Sequence, residues 1–242
     1  MTLNADGANN DVIIQSNGST LITVDGSASS VGIGTTSPQS GYKLHVNGAI
    51  QAENESFSAG REDEGKPAFN FHDDPNTGMF NVNPDILAFA TNGAERMRID
   101  ATGAVTMPSQ PAFLAQPSSA QNNIAEGSTV DVVFGTERFD NNSDFASNTF
   151  TAPITGKYFF SYSLWMADLD NAPSYVETYL TTSNRQYVAT IDPRGFDVDP
   201  AYWTINQALV CDMDAGDTAK IGILFHAGGT VQTDLQSYSY FS

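Results

Sequence analysis

The chain has 242 residues, 40% of them hydrophobic and only 16% charged, which is enough apolar material for a folded core and excludes wholesale disorder. Its formal net charge is −18, from 28 acidic and 10 basic side chains. Because both halves are acidic, no basic patch is available for nucleic acid or an anionic bilayer. No run approaches the ~18 apolar residues of a membrane span. We therefore expect neither nucleic-acid binding nor membrane insertion.

The cysteine content and the first residues bear on compartment. Cys211 is the only cysteine, so no internal disulfide can form, and its apolar neighbours predict a buried, unreactive thiol. The first residues lack the positive charge and apolar run of a signal peptide. We expect synthesis in a cytoplasm, with any later location reached through assembly.

The first hundred residues predict short β-hairpins. Strand-like segments cover residues 12–14, 21–24, 42–46 and 97–99, and no stretch keeps a helical period. Dipeptides that favour positive φ punctuate them, as tight hairpins require. These dipeptides are Asp6-Gly7, Asn17-Gly18, Asp25-Gly26, Asn47-Gly48 and Asn92-Gly93.

Two passages, residues 12–25 and 87–100, look like copies of one unit. In both, Asn-Gly precedes an aspartate by eight positions, with alternating apolar residues just before the aspartate. Repeated hairpins suggest an elongated array in which each unit buries its apolar face against neighbours or other chains. Because a lone hairpin is marginally stable in water, this region is expected to need partner chains.

The composition of the sequence changes after a Pro-rich break near Pro108. Strands lengthen and aromatic residues concentrate, with predicted strands over residues 130–134, 158–165, 176–180 and 219–225. Regularly spaced strands with polar turns are typical of a β-sandwich or jelly roll. The sequence therefore predicts an all-β protein with domains at residues 1–108 and 112–242.

A spaced pattern of aromatic and small residues runs through the second half and resembles that of the complement C1q/TNF superfamily. The matching positions are Phe134, Asp140, Phe145, Phe150, Gly156, Tyr158, Phe160 and Tyr162. Residues 213–217 resemble the turn before the family's penultimate strand, and residues 239–242 its last strand. Phe145 and Phe150 are separated by four residues where the family usually has six, which predicts a shorter loop. The resemblance implies a jelly-roll β-sandwich that forms a tight trimer, binds ligands through exposed loops and has no common catalytic activity.

The first half resembles repeats of phage tail fibres. The segments that resemble these repeats are residues 31–38 followed by 43–48, and residues 87–100. The resemblance implies an elongated trimeric β-hairpin shaft over residues 1–108, with an end that contacts other virion tail or capsid proteins. Residues 112–242 would then be a head that binds a host surface glycan or protein.

Sequence signatures of catalysis and cofactor binding are incomplete. Residues 31–37 begin like a dinucleotide fingerprint, but Ser37 replaces the third glycine and no helix is predicted after it. Residues 60–66 have P-loop spacing, yet Pro67 stands where Ser or Thr would hold Mg²⁺. His45, His72 and His226 have no partner at metal-ligand spacing, although trimer symmetry could gather three copies of His72. We predict no catalytic residue, no cofactor and no metal ligand.

Candidate receptor contacts lie in the second half, where aromatic residues stand beside polar ones. Such mixtures stack on sugar rings and anchor protein interfaces. The candidates are Arg194, Phe196, Asp197, Asp199, Tyr202 and Trp203. For Trp203, the core or a trimer interface is the favoured alternative. The acidic loops at 168–171 and 192–199 are also candidates for Ca²⁺, with solvated loops favoured over a metal site.

The sequence thus predicts a virion fibre, made in the host cytoplasm, that attaches to the host through its head. Four alternatives stay open at this point. The fibre could decorate the capsid or serve as a structural tail component without receptor contact. It could carry a glycan hydrolase built on paired carboxylates. It could also be a secreted adhesin, against which the missing signal peptide argues.

Overall fold

A computed structural model describes residues 11–27, 29–50, 60 and 62–242. The chain forms two compact units, Met1–Gly60 and Arg61–Ser242. Within the described residues, the only helical turn is the 3₁₀ turn at Pro193–Gly195, and no helix is long and apolar enough to cross a membrane. The all-β prediction is confirmed. Asp6-Gly7 lies outside the described residues.

The first unit contains a four-stranded sheet in the order β1-β2-β3-β4. Its strands are β1 (Val12–Ser16), β2 (Ser19–Asp25), β3 (Ser30–Ile33) and β4 (Leu44–Val46). The first three strands are antiparallel, and β4 runs parallel to β3. β4 therefore begins at Leu44, two residues after the start of the strand predicted at 42–46.

A five-stranded antiparallel sheet opens the second unit, with its strands in sequence order. They are β5 (Phe69–Phe71), β6 (Asp74–Asn81), β7 (Leu87–Thr91), β8 (Ala94–Ile99) and β9 (Val105–Thr106). A small cluster on one face buries Phe80, Ala88 and Ala90. The predicted boundary at 108–112 falls inside this unit, between this sheet and the next, so the division into shaft and head stays a prediction.

The two passages identified as copies form the same hairpin. Residues 12–25 fold as β1 and β2, and residues 87–100 as β7 and β8. The register shifts after the third strand residue in both, between Ile14 and Gln15 and between Phe89 and Ala90. Both Asn-Gly turns have positive φ throughout, with Asn17 at 51°, Gly18 at 79°, Asn92 at 52° and Gly93 at 67°. This geometry is the type I′ turn that suits the twist of paired strands.

The rest of the second unit is a sandwich of two six-stranded sheets. Its strands are β10 (Ala112–Gln116), β11 (Val130–Asp131), β12 (Thr136–Asn141), β13 (Phe145–Ala146), β14 (Thr149–Thr151), β15 (Gly156–Ala167), β16 (Val176–Thr182), β17 (Gln186–Ile191), β18 (Tyr202–Met213), β19 (Thr218–Phe225), β20 (Asp234–Leu235) and β21 (Tyr240–Phe241). The first sheet has the order β12-β10-β21-β15-β18, with β20 beside β15. The second has the order β13-β14-β19-β16-β17, with β11 beside β19.

The connections make this sandwich a jelly roll, as predicted. The chain crosses between sheets from β14 to β15, from β15 to β16, from β17 to β18 and from β18 to β19. Such repeated crossing between two antiparallel sheets is the jelly-roll arrangement. The predicted strand at 130–134 is too long, since only Val130 and Asp131 pair with β19.

Alternation along β15 builds the core between the sheets. Phe160, Tyr162, Leu164 and Met166 are all buried, as expected for a strand with one inward face. Phe113 stacks on Phe145 with ring centroids 4.7 Å apart. Cys211 is also buried, as predicted, and burial raises the pKa of its thiol, which favours the unreactive protonated form.

Phe145 and Phe150 belong to a tight β13–β14 hairpin, and a loop shorter than the family's stays a prediction. Its turn residues, Ser147 and Asn148, both have positive φ, at 50° and 65°. The carboxylate of Asp140 accepts hydrogen bonds from the backbone N–H of Phe145, at 3.1 Å, and of Asp144. Asp140, the acidic residue of the C1q/TNF-like pattern, thus fixes the start of this hairpin.

Candidate functional site

Three loops meet at one end of the jelly roll, which we call the loop end. They are the β15–β16 loop (168–175), the β17–β18 loop (192–201) and the β19–β20 loop (226–233). The backbone N–H of Asp168 donates to the carbonyl of Ala201 at 3.0 Å, which joins the first two loops. The N–H of Asp170 donates to Thr233 Oγ1 at 3.0 Å, which joins the first loop to the third.

Asp199 lies at the centre of the loop end and holds all three loops together. Its Oδ1 accepts from the backbone N–H of Asn171 at 3.0 Å, and its Oδ2 accepts from Gln232 Nε2 at 2.9 Å. These hydrogen bonds, that of Gln232 first, lower the pKa of the Asp199 carboxyl. This carboxylate therefore has a structural role, and its contact with a receptor stays a prediction.

Arg194 forms a fork-like ion pair with Asp192 at the surface. In the 3₁₀ turn, Asp192 Oδ1 accepts from the Arg194 backbone N–H and from its Nε, and Nη2 donates to Oδ2 at 2.8 Å. Both side chains stay more than half exposed. The Arg194 hydrogen bond lowers the pKa of Asp192. The pair is an exposed, oriented polar group of the kind that contacts ligands.

Phe196 and Trp203 pack together beside this ion pair. Their ring centroids are 4.9 Å apart, and Asn171 Nδ2 donates to the Phe196 carbonyl at 3.0 Å. Phe196 is half-buried against the core, whereas Trp203 is 36% exposed. In this single chain, Trp203 is therefore a partly open surface ring and not a core residue. Asp197, next to Phe196, is exposed.

Tyr202 points elsewhere, to the outer face of the first sheet. It packs against Trp165, with centroids 5.4 Å apart, and Tyr238 packs on the same ring at 4.7 Å. Tyr202 and Tyr238 are both exposed. Sequence reasoning missed Trp165 and Tyr238, because only strand pairing brings them beside Tyr202.

Large apolar side chains continue along this surface, which we call the outer face. On neighbouring strands, Phe159 pairs with Val210, and Phe139 lies opposite Leu114. A cleft of about 230 Å³ opens between β10, β12 and β15. The exposed members of the outer face are Phe139, Phe159, Tyr202, Val210 and Tyr238.

Two carboxylates approach each other behind the loop end. Asp170 is buried and accepts from the backbone N–H groups of Ala172 and Thr230. Glu126 Oε2 accepts from the Gly229 N–H at 3.0 Å, while its Oε1 is buried without a hydrogen-bond partner. A Cβ at Gly229 would lie 2.4 Å from Asp170 Oδ2 and 2.6 Å from Glu126 Oε1, so only glycine fits. This enclosed pair is not open to a polysaccharide.

The other polar residues considered in the sequence have local partners. His45 Nδ1 accepts from the Gln39 N–H at 3.1 Å, and His226 Nδ1 lies 2.9 Å from Ser174 Oγ. His72 Nε2 is 3.6 Å from Asp73. Among the described residues, no group of three or more His, Cys, Asp or Glu side chains could hold a metal ion. Calcium at the acidic loops stays the less favoured alternative to solvated loops.

No family model matches the sequence, and no curated protein matches it. Among solved structures, the chain is similar to the globular domain of zebrafish complement 1qA, with 17% identity and a TM-score of 0.39 over 55% of this chain and 94% of that one. It is also similar to murine APRIL at pH 8.5, with 11% identity and a TM-score of 0.36 over 55% of this chain and 98% of that one. These C1q/TNF-like neighbours cover about half of the chain.

Proposed function

We propose that this chain is a subunit of a homotrimeric phage fibre, a virion structural protein whose C-terminal head attaches to the host surface. The outer face carries this proposal. Phe159, Val210 and Tyr238 are exposed there, and the same face reaches the loop end at Tyr202, where hydrogen bonds join loops that present polar and aromatic groups. Large apolar side chains exposed on one face of a sheet mark an interaction site.

A second and a third copy of the same chain suit the outer face best. Between Phe159 and Tyr202 its centre carries small or uncharged polar residues such as Ser161, Ser163 and Ala208. Chains with a net charge of −18 repel one another, so close contact between copies requires an uncharged surface. Cyclic symmetry would point all three loop ends in one direction.

At the loop end, the Arg194–Asp192 fork and the Phe196–Trp203 pair offer the contacts for a host surface glycan or protein. Aromatic rings stack on sugars, and an oriented fork of donors and acceptors adds specificity. Asp197 and Asp199 would line the same surface. Three weak sites on one trimer bind together with raised avidity. Tyr202 would contribute through the trimer contact on the outer face.

The hydrolase alternative is less well supported. A glycosidase places two carboxyl groups ~5–10 Å apart on either side of an accessible sugar bond. The close pair formed by Asp170 and Glu126 is enclosed by Gly229 and its neighbours. A capsid-decorating fibre, or a tail fibre without receptor contact, remains the second candidate, because the outer face supports assembly independently of any receptor.

Competition with phage adsorption tests attachment. Purified full-length protein should block adsorption to host cells, and Trp203→Ala or Arg194→Ala should weaken the block at least several-fold. Arg185→Ala is the matched control, since Arg185 forms a similarly exposed ion pair with Asp212 away from the loop end. Failure of the wild-type trimer to compete would contradict the attachment role. Immunogold labelling of intact particles tests the virion location and the contact of the N-terminal end with tail or capsid.

A further inference from the structure

The four-stranded sheet of the first unit has one face made of two apolar rows. Strand pairing aligns Val12, Val24, Val31 and Leu44 in one row, and Ile14, Ile22, Ile33 and Val46 in the other. Paired residues on neighbouring strands share a face, and so do residues two apart on one strand. Both rows therefore lie on the same side, which we call the valine–isoleucine face. It contains no charged residue.

Among the described residues of the first unit, none buries this face completely, and the opposite face is covered only in part, since Ile13 and Leu21 are exposed there. All of its side chains are half-buried or exposed, with Ile14 at 44% and Leu44 at 52%. On the opposite face, Thr23 is buried and its hydroxyl donates to the Thr35 carbonyl at 2.9 Å. The valine–isoleucine face is therefore an exposed, uncharged apolar surface of the kind that contacts another chain.

The neighbouring sequence is poor in large apolar residues. Residues 1–10 and 51–59 contain only Met1, Leu3 and Phe57 as large apolar residues. The face is also small for an independent partner. Taking ~60–120 Å² for a fully exposed aliphatic side chain, it leaves roughly 130–390 Å² open. A specific interface needs about 800 Å² per partner. Such an area suits one segment of a contact between chains that are already joined elsewhere.

The same pattern recurs in the second unit. Phe69, Met79, Phe89 and Met97 form one row across β5 to β8. Phe69 and Phe89 are exposed, beside a cleft of about 490 Å³. A separate partner would have to match each of these faces, whereas further copies of this chain bring matching faces automatically.

We propose that the valine–isoleucine face packs against the same face of the other copies in the homotrimer. This inference rests on the trimer of the proposed function and assigns the N-terminal contact to particular residues. Once the heads join three chains, the high effective concentration of the N-terminal units makes a small uncharged face sufficient. The occupant is thus a second copy, and a separate virion protein is the competing outcome.

Adjacent isoleucines in β1 provide a matched test. Ile14 belongs to the face, while Ile13 is 52% exposed but pairs with Thr23 on the opposite side. In the full-length protein, Ile14→Cys, Ile22→Cys and Ile33→Cys should each give interchain products with a short bismaleimide, at least five-fold more than Ile13→Cys. Wild-type protein is the blank, because its single Cys211 is buried.

The mass of each variant distinguishes failure of this inference from failure of the homotrimer. Interchain products at the three face positions, in a protein of trimeric mass, support the inference. A trimeric mass with no more product than Ile13→Cys overturns it and leaves the head-mediated trimer intact. Product only after a virion protein is added shows a different occupant and also overturns it. A monomeric wild-type protein contradicts the homotrimer itself.

Discussion

The hydroxyl of Tyr162 lies 2.7 Å from Thr178 Oγ1, and this hydrogen bond joins the two sheets of the jelly roll through its core. Tyr162 is on β15 in the first sheet and Thr178 is on β16 in the second. Gln207 Oε1 accepts a further bond from the tyrosine at 3.1 Å. Burial raises the pKa of Tyr162, so the hydroxyl keeps its proton well into alkaline conditions.

Replacing this tyrosine tests the link between the sheets. Tyr162→Phe keeps the ring but leaves the buried Thr178 hydroxyl without its partner, which should lower the free energy of unfolding by ~1–3 kcal/mol. Thermal or urea unfolding measures it. Tyr238→Phe is the control, because Tyr238 is exposed and should change stability little. Equal effects of the two variants would contradict the structural role of the link.

Phe159 and Phe160 are neighbours with opposite roles. Phe160 is 2% exposed, so Phe160→Ala should cost ~3–5 kcal/mol of stability through lost burial and a cavity. Phe159 is 67% exposed on the outer face, so Phe159→Ala should leave the chain folded but weaken association. Melting curves and dilution-dependent light scattering separate these effects. A loss below about 1 kcal/mol for Phe160→Ala would show that the strand assignment is wrong.

The homotrimer has a direct measurement. Light scattering of the full-length protein should give three times the chain mass of 25.9 kDa. Phe159→Asp places a like charge from every copy in the outer face, and should shift the mass toward one chain. Val198→Asp is a suitable control, since Val198 is exposed in the β17–β18 loop. A stable, folded wild-type monomer at micromolar concentration would exclude the proposed assembly.

Tyr179 predicts how stability changes at high pH. Burial, and then its hydrogen bond to Glu177, raise the pKa of Tyr179 from 10.0 to about 12. Between these values the unfolded chain releases this proton while the folded chain keeps it. Stability should therefore fall as pH rises from about 10 to about 12. Tyr179→Phe should reduce that fall in unfolding titrations. An unchanged slope would show that Tyr179 ionises normally in the folded protein.

Much of the fold was predictable, because alternation and turn residues act locally. Asn17-Gly18 and Asn92-Gly93 set their hairpins, and the alternation from Tyr158 to Trp165 identified β15. The contents of the surfaces were harder to predict. Which face a strand residue joins depends on pairing with distant strands, so Tyr202 was grouped with Trp203 although their side chains lie in different clusters.

The same limit applies to two groups of residues that only the folded chain brings together. Glu126 and Asp170 meet only because Gly229 approaches both from a third part of the chain. Likewise, the valine–isoleucine face is not visible in any one strand, since β1 alone reads as an ordinary short apolar run. Its two rows emerge only when the register of β1, β2, β3 and β4 is known.

The position of β21 has a consequence for how the jelly roll can be built. Phe241 pairs with Ala115 on one side and Tyr162 on the other, so β21 separates β10 from β15 in the sheet. Ser242 adds paired backbone hydrogen bonds with Ser161. Until residues 240–242 leave the ribosome, the first sheet has a gap at its centre. The jelly roll therefore cannot close its first sheet before these residues are made, and a truncation that removes them would expose two unpaired strand edges to aggregation.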